Sequence, residues 1–410
     1  MDEKPAGADW RAILLLISSL GGALLAFTSA LATLALTLFG LDEFAGLDAS
    51  PLSTLLAGST LAAVGLLFLP VGYYSLRRLR GLGTAAFVLP ALRPWTWGLL
   101  PFLWLLAATL ASLFHDAPGA LLYAPALHFL AVALPLYLLA RAALARIPLG
   151  SALRAWGALG SGMSLSLAVA LTLEIMVILL FLLVLGVYLA FNPEQVGAIE
   201  RLAGQVQHAP NLESLLYAFA PVVNHPLTLL AALLFLSGFV PLIEEFSKSL
   251  GVWLVSGRLT SPAQGFAMGV LGGAGFALVE SLSASMNPDD TWAMTFAARA
   301  FSGLMHVLAS GLTGMGVAYA RLEKRYARLA GLFVLGVLVH AVWNGGAVLT
   351  AVGGLRVTLA DPEIDLLGVL LGLVGLATIF VMAATMAVGL LVLNARLRPT
   401  SQGAAQPAVQ

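Results

Sequence analysis

Cysteine is absent from this 410-residue sequence, and charged residues make up only 10% of it. The lack of cysteine excludes disulfides, thiol catalysis and thiolate metal sites, so any bound metal must rest on His, Asp or Glu. A soluble protein has about 25% charged residues. With a hydrophobic fraction of 60%, the shortage of charge therefore indicates a polytopic membrane protein. The formal net charge is zero and by itself indicates no partner.

Apolar runs long enough to cross a bilayer occur ten times, since a transmembrane helix needs about 20 apolar residues. The first run is longer than the apolar region of a signal peptide, so we expect a retained helix. The predicted fold is all-α, a polytopic transmembrane helical bundle of about ten membrane-spanning helices. The runs lie near residues 12–39, 51–75, 95–114, 119–140, 158–191, 227–256, 262–286, 294–320, 329–351 and 365–395.

Successive connections between these runs alternate in charge. An excess of Lys and Arg marks the cytoplasmic side of a membrane, so we expect both termini in the cytoplasm and a multi-pass protein of the cell (inner) membrane. The basic connections carry Arg77, Arg78, Arg80, Arg93, Arg141, Arg146, Arg154, Arg258, Arg321, Lys324, Arg325, Arg328, Arg396 and Arg398. The acidic ones carry Asp42, Glu43, Asp48, Asp116, Glu194, Glu200, Glu213, Asp289, Asp290, Asp361, Glu363 and Asp365.

The chain divides into four parts by composition. Residues 1–225 hold helices one to five and the longest outer loop, for which we expect a short interfacial helix. Residues 226–351 form a core of four helices that carries most of the intramembrane ionisable residues, and residues 352–396 hold the last membrane helix. The polar, proline-containing segment 397–410 is predicted to be a disordered tail.

Helix six carries Glu244, Glu245 and Lys248 within an apolar run. An ionisable side chain there costs roughly 3 kcal/mol on insertion scales, which indicates a function or a strong pairing. Glu244 and Lys248 are four residues apart and share a helix face, whereas Glu245 points roughly 100° away. Taken alone, a Glu and a Lys in one membrane helix are as consistent with a structural ion pair as with a functional site. The residues of the neighbouring helices favour the functional site.

Helix seven combines a ridge of small residues with a carboxylate. Gly265, Gly269, Gly273 and Ala277 recur at spacing four, which predicts close packing of a neighbouring helix. Packing does not account for Glu280 near the end of the same helix.

Helices eight and nine add two histidines. Arg299 and His306 are seven residues apart and lie on one helix face, as do His340 and Asn344 at spacing four. A lone membrane histidine is more often a hydrogen-bonded packing residue than a ligand. Two on adjacent helices, opposite three carboxylates, favour a catalytic site.

Together these residues resemble the motifs of the PrsW family of intramembrane proteases, which is related to the CAAX-prenyl-protease and bacteriocin-processing (CPBP) membrane proteases. The resemblance covers helices six to nine. Serine at position 281 departs from the family, which usually has Asn there. The motifs are Glu244-Glu245-x-x-Lys248, Gly275-Phe276-Ala-x-x-Glu280, the Arg299–His306 segment and His340-x-x-x-Asn344.

The resemblance implies an intramembrane endopeptidase, with residues 226–351 as its catalytic core. It implies a single-pass membrane-protein substrate similar to an anti-sigma factor, cut to start a signalling cascade. The lipid bilayer is the other expected partner, and no nucleic acid is expected. The site residues it implies are Glu244, Glu245, His306, His340 and Asn344 as catalytic groups, with Lys248, Glu280 and Arg299 in support.

Two mechanisms remain open from the sequence. In one, zinc is held by Glu280, His306 and His340, and Glu244 or Glu245 is the general base. In the other no metal is needed: Glu244 activates water with help from His306 or Glu280, while His340 and Asn344 form the oxyanion pocket. In either, Lys248 keeps one of the two adjacent carboxylates ionised.

Two other functions compete with the protease. An ion-coupled membrane transporter also has intramembrane Glu, Lys and His, but the sequence contains neither repeated halves nor a pair of broken helices. A catalytically inactive membrane scaffold would have lost a motif residue, and Ser281 is the only departure.

Overall fold

The computed structural model describes residues 9–39, 50–89, 92–209, 211–360 and 363–398. No β-strand occurs among them, and one isolated bridge joins Ala86 to Ser151. The all-α prediction is therefore confirmed. The α-helices are α1 Trp10–Phe39, α2 Pro51–Leu79, α3 Thr96–Leu113, α4 Ala120–Ala143, α5 Ala152–Ser161, α6 Leu167–Phe191, α7 Pro193–Gln207, α8 Leu212–Ala218, α9 Ala220–Asn224, α10 Pro226–Ala232, α11 Val240–Val255, α12 Pro262–Ala284, α13 Trp292–Glu323, α14 Tyr326–Ala360 and α15 Leu366–Leu397.

Ten helical segments within the described residues are long and apolar enough to cross a membrane, as predicted. Two of them are composite, Ala152–Phe191 and Pro226–Arg258. Helix α7 lies in the connection for which a short helix was predicted, and the outer position of this connection stays a prediction. The orientation of the termini stays a prediction, and the predicted disordered tail lies outside the described residues from 399 onward.

The two composite segments contain π-helical turns. Gly162–Ser166 connects α5 to α6, and Leu233–Phe239 connects α10 to α11. A π-turn inserts an extra residue into a helix and rotates the side chains beyond it, and such turns are frequent at functional sites. The second one directly precedes the helix that carries Glu244 and Glu245.

The chain forms two compact units. Unit one comprises residues 1–167, 245–336 and 386–410, and unit two comprises 168–244 and 337–385. Helices α11, α14 and α15 each contribute residues to both units. The boundary in α11 falls between two consecutive residues, Glu244 and Glu245.

Within unit one, the glycine ridge of α12 packs directly on the backbone of α13, which confirms the predicted close approach. A Cβ at Gly269 would collide with the carbonyl oxygen of Ser310. A Cβ at Gly273 would likewise collide with the carbonyl oxygen of His306. The ridge thus fixes the position of the α13 segment that carries His306.

Gly269→Ala should lower the free energy of unfolding by about 1–3 kcal/mol, because the added methyl group has to displace a helix backbone. Gly331→Ala in α14 is the matched control, since a Cβ there would meet no atom within 4 Å. Circular dichroism monitors the unfolding of both variants in detergent. Equal loss of stability in the two variants would contradict the packing described.

Asp9 joins three segments of unit one at one end of the helices. Its carboxylate accepts a hydrogen bond from Arg78 Nε at 3.1 Å and also pairs with Arg258. Burial raises the pKa of Asp9. The hydrogen bonds from Arg78, Arg258 and the Ala12 backbone, together with the charge of Arg258, outweigh burial and hold the pKa below its ordinary value. This ion pair therefore stabilises the fold when Asp9 is ionised.

Because the folded-state pKa of Asp9 is lowered, its contribution is fully present above the unfolded value of about 3.9. It is lost as the pH falls through the folded-state pKa. Asp9→Asn should therefore lower the melting temperature at pH 6 and have a smaller effect as the pH approaches 3. This pH dependence is tested by thermal unfolding between pH 6 and pH 3. The proteins compared are wild type, Asp9→Asn and the exposed control Asp290→Asn. If Asp9→Asn lowered the melting temperature equally at every pH, the stabilising role of ionised Asp9 would be refuted.

Candidate functional site

A buried ion pair in unit one lies at the centre of the predicted site. Lys248 Nζ is 2.9 Å from Glu245 Oε1, and both side chains are fully buried. The same ammonium group lies 2.7 Å from Nδ1 of His306. An ammonium group has only donors, so Nδ1 accepts and the imidazole is neutral, with its proton on Nε2.

The opposite side of the His306 ring faces Glu280. His306 Nε2 is 2.8 Å from Glu280 Oε2, and Arg299 Nη2 is 2.9 Å from the same oxygen. With His306 neutral, two carboxylates balance one ammonium and one guanidinium. A carboxylate that accepts from the second ring nitrogen is the arrangement that orients metal-binding histidines in proteins.

An aromatic ring covers this cluster on one side. Lys248 Nζ lies 4.3 Å from the ring centroid of Phe276, a cation–π contact, and the rings of Phe276 and His306 are 5.5 Å apart. Ser310 Oγ donates to Glu245 Oε2 at 3.4 Å. Phe276 shields the Lys248 ammonium on this side, which strengthens its electrostatic attraction to Glu245.

A hydrogen-bonded extension of this cluster was missed by sequence reasoning. Arg299 Nε donates to Ser281 Oγ at 3.1 Å, so the serine at the position of the family asparagine supports Arg299. Ser285 Oγ donates to the carbonyl oxygen of Ser281 at 2.7 Å and lies 2.9 Å from Nε2 of the buried His128. The only signal for His128 in the sequence is a single histidine in an apolar run.

In unit two, the described contacts bring together Glu244 and His340. His340 Nε2 lies 3.9 Å from Glu244 Oε2, and both side chains are buried. Glu244 is on α11 and His340 on α14. The two residues come from different sequence motifs, and that the motifs act together stays a prediction.

Asn344, the other predicted residue of unit two, holds the π-turn that precedes Glu244. Its Nδ2 donates to the carbonyl oxygen of Leu236 at 2.8 Å. Ser237 Oγ in the same turn donates to the carbonyl oxygen of Ala341 at 2.6 Å. These two bonds tie the Leu233–Phe239 turn to α14 at the level of His340. The oxyanion role of Asn344 stays a prediction.

Three buried side chains of metal-binding type are Glu244, His306 and His340. Two imidazoles and one carboxylate are a donor set used by catalytic zinc sites, which keep a further position for water or substrate. The predicted ligand Glu280 lies against Nε2 of His306 and beside Arg299, a surrounding that suits an orienting carboxylate as well as a ligand.

Comparison with known proteins gives one match. A family model described as PrsW family intramembrane metalloprotease matches residues 152–384. The match contains all four motifs and extends beyond them to α5 and α6 and to most of α15. No curated protein and no solved structure matches the chain.

Proposed function

Because the chain belongs to the PrsW family of intramembrane metalloproteases, we propose that it cuts a single-pass membrane protein of the cell (inner) membrane. The chain is a multi-pass membrane peptidase, and its substrate is a membrane protein in a lipid environment. The proposed substrate class is anti-sigma-factor-like, and the cut starts a signalling cascade. The family match to the four motif helices is the observation that carries the proposal.

Glu244, His306 and His340 are the proposed zinc ligands. The family is a metalloprotease family, and cysteine is absent, so imidazole and carboxylate groups have to supply the ligands. Nδ1 of His306, which lies 2.7 Å from Lys248 Nζ, would bind the metal in place of this ammonium group, because Nε2 faces Glu280 Oε2 at 2.8 Å. In such a site these residues would hold a metal that supplies Lewis-acid chemistry, the polarisation of a peptide carbonyl and a lower pKa of a bound water.

Glu245 is the proposed general base. It follows Glu244 directly in α11, so one turn of helix supplies both the carboxylate that binds the metal and the one that moves the proton. Glu245 Oε2 accepts a proton from the attacking water and returns it to the leaving amine. Lys248, 2.9 Å from Glu245 Oε1, keeps the base ionised before the reaction.

The remaining motif residues position these groups. Glu280, fixed by Arg299, holds the His306 ring in the orientation that directs Nδ1 to the metal. Asn344 Nδ2 donates one hydrogen to the carbonyl oxygen of Leu236. Its second amide hydrogen can be donated to the developing oxyanion. Phe276 keeps water away from the Lys248 ammonium.

The proposal is tested with purified protein in vesicles that also contain a single-pass reporter. Mass spectrometry of the reporter should find a new N-terminus within or next to its apolar segment, and empty vesicles should show none. An intact reporter, together with proton or sodium flux into the same vesicles, would instead support the transporter that the sequence left open.

A further inference from the structure

A cavity lined by two arginines lies far along the chain from the protease motifs. A cavity of about 290 Å³ lies in unit one, between the connection that follows α2 and the connection from α4 to α5. Two cationic side chains line it, and none of the described residues that line it is acidic. The lining residues are Phe87, Val88, Leu89, Arg141, Leu144, Arg146, Ile147, Pro148 and Leu149.

The walls of this cavity are held by backbone bonds. Phe87 N donates to the carbonyl oxygen of Gly150 at 2.7 Å, and Ala152 N donates to that of Ala85 at 2.8 Å. At the end of α4, Asn394 Nδ2 donates to the carbonyl oxygens of Ala143 and Ala145. The two chain segments that line the cavity are therefore bonded to each other, and the second is also bonded to α15.

The two arginines are unpaired within the described part of the chain. Nε of Arg141 is buried and has no hydrogen-bond partner there. Arg146 has an exposed side chain and a left-handed backbone, with φ of 64°. A buried guanidinium nitrogen without an acceptor is costly, so an anion bound in the cavity would lower this cost.

An apolar cavity continues from this one. It has a volume of about 450 Å³ and shares Phe87, Val88, Pro148 and Leu149 with the first. Its other lining residues are Thr84, Ala86, Gly150, Ser151 and Gln264. The pair of cavities thus offers two guanidinium groups at one end and mostly apolar walls at the other.

We propose that this cavity binds the phosphate group of an anionic phospholipid. Guanidinium groups bind phosphate oxygens in a bidentate manner. Basic pockets between transmembrane helices on the cytoplasmic side bind anionic headgroups, and Arg141 and Arg146 belong to the basic set of connections. The apolar extension suits the glycerol backbone and the beginning of an acyl chain, which favours a lipid over a free phosphate ion.

Binding of phosphatidylglycerol to the purified full chain in neutral detergent tests this proposal, with native mass spectrometry as the readout. Each arginine near an anionic lipid is worth about 1 kcal/mol, so Arg146→Gln should weaken binding roughly fivefold and Arg141→Gln/Arg146→Gln roughly 25-fold. The control Arg80→Gln/Arg396→Gln removes the same charge from two exposed arginines on the same side that do not line the cavity. It should bind as wild type does.

Three results would overturn the proposal. They are equal binding by wild type and by the cavity variants, no preference of wild type for phosphatidylglycerol over phosphatidylcholine, and displacement of the lipid by millimolar inorganic phosphate. The last would identify a free anion as the occupant. If the double variant does not fold, the lipid binding of Arg146→Gln, a change at an exposed residue, is compared with that of wild type instead. None of these measurements depends on proteolysis.

Discussion

Replacing Glu244 by glutamine should reduce peptide cleavage at least about a hundredfold, the lower end of the effect expected for a catalytic acid–base or ligand group. Glutamine keeps the size of the side chain and one oxygen acceptor, but it has no negative charge for a metal and takes no proton. The fold should survive, since the neutral amide can still lie beside His340. Initial rates on a single-pass reporter in vesicles measure the effect.

Glu174→Gln is the matched control for this change, because Glu174 is a carboxylate of α6 that lies in none of the four motifs. It should retain most of the activity. Full activity of Glu244→Gln would refute the assignment of Glu244. If that variant is inactive yet keeps its metal, Glu244 is the base rather than a ligand, as one of the two sequence-based mechanisms has it.

Lys248→Met should lower the free energy of unfolding by about 3–5 kcal/mol, the cost of removing one partner from a buried ion pair. The change leaves the Glu245 carboxylate buried without its ammonium partner and removes the donor that faces Nδ1 of His306. Thermal unfolding in detergent measures it. Lys324→Met, at an exposed lysine after α13, should be close to neutral.

The double variant Glu245→Gln/Lys248→Met isolates the charge as the cause. It removes both members of the pair, so most of the lost stability should return, because no uncompensated charge remains. A double variant as unstable as Lys248→Met alone would show that Lys248 acts by packing, for example against Phe276, and would contradict the ion-pair account.

Much of the fold was predictable because it follows from local pattern. Apolar runs define the ten spans, and the glycine spacing of α12 predicts its approach to α13. The partner of Lys248 was not predictable in the same way. The four-residue spacing placed Glu244, not Glu245, on the helix face of Lys248. A spacing of three residues also brings side chains together, and Lys248 pairs with the buried Glu245 at 2.9 Å.

Features that depend on residues far apart in the chain could not be predicted from local sequence patterns. The π-turn before α11 is held by Asn344 and Ser237, whose partners lie more than 100 residues away in the chain. His128 joins the polar network through Ser285, 157 residues further on. The choice between Glu244 and Glu280 as the metal carboxylate stays a proposal, since it depends on which side of His306 faces the metal.

Metal content is the most direct test of the central claim, that a Glu and His site in this membrane protein binds a catalytic metal. Wild type and His340→Ala are purified in detergent without strong chelators, beside His128→Ala as a buried histidine outside the proposed ligand set. The account predicts about one zinc per chain in wild type and His128→Ala and a loss of most of it in His340→Ala. A wild-type enzyme that cleaves its reporter without bound metal would contradict it.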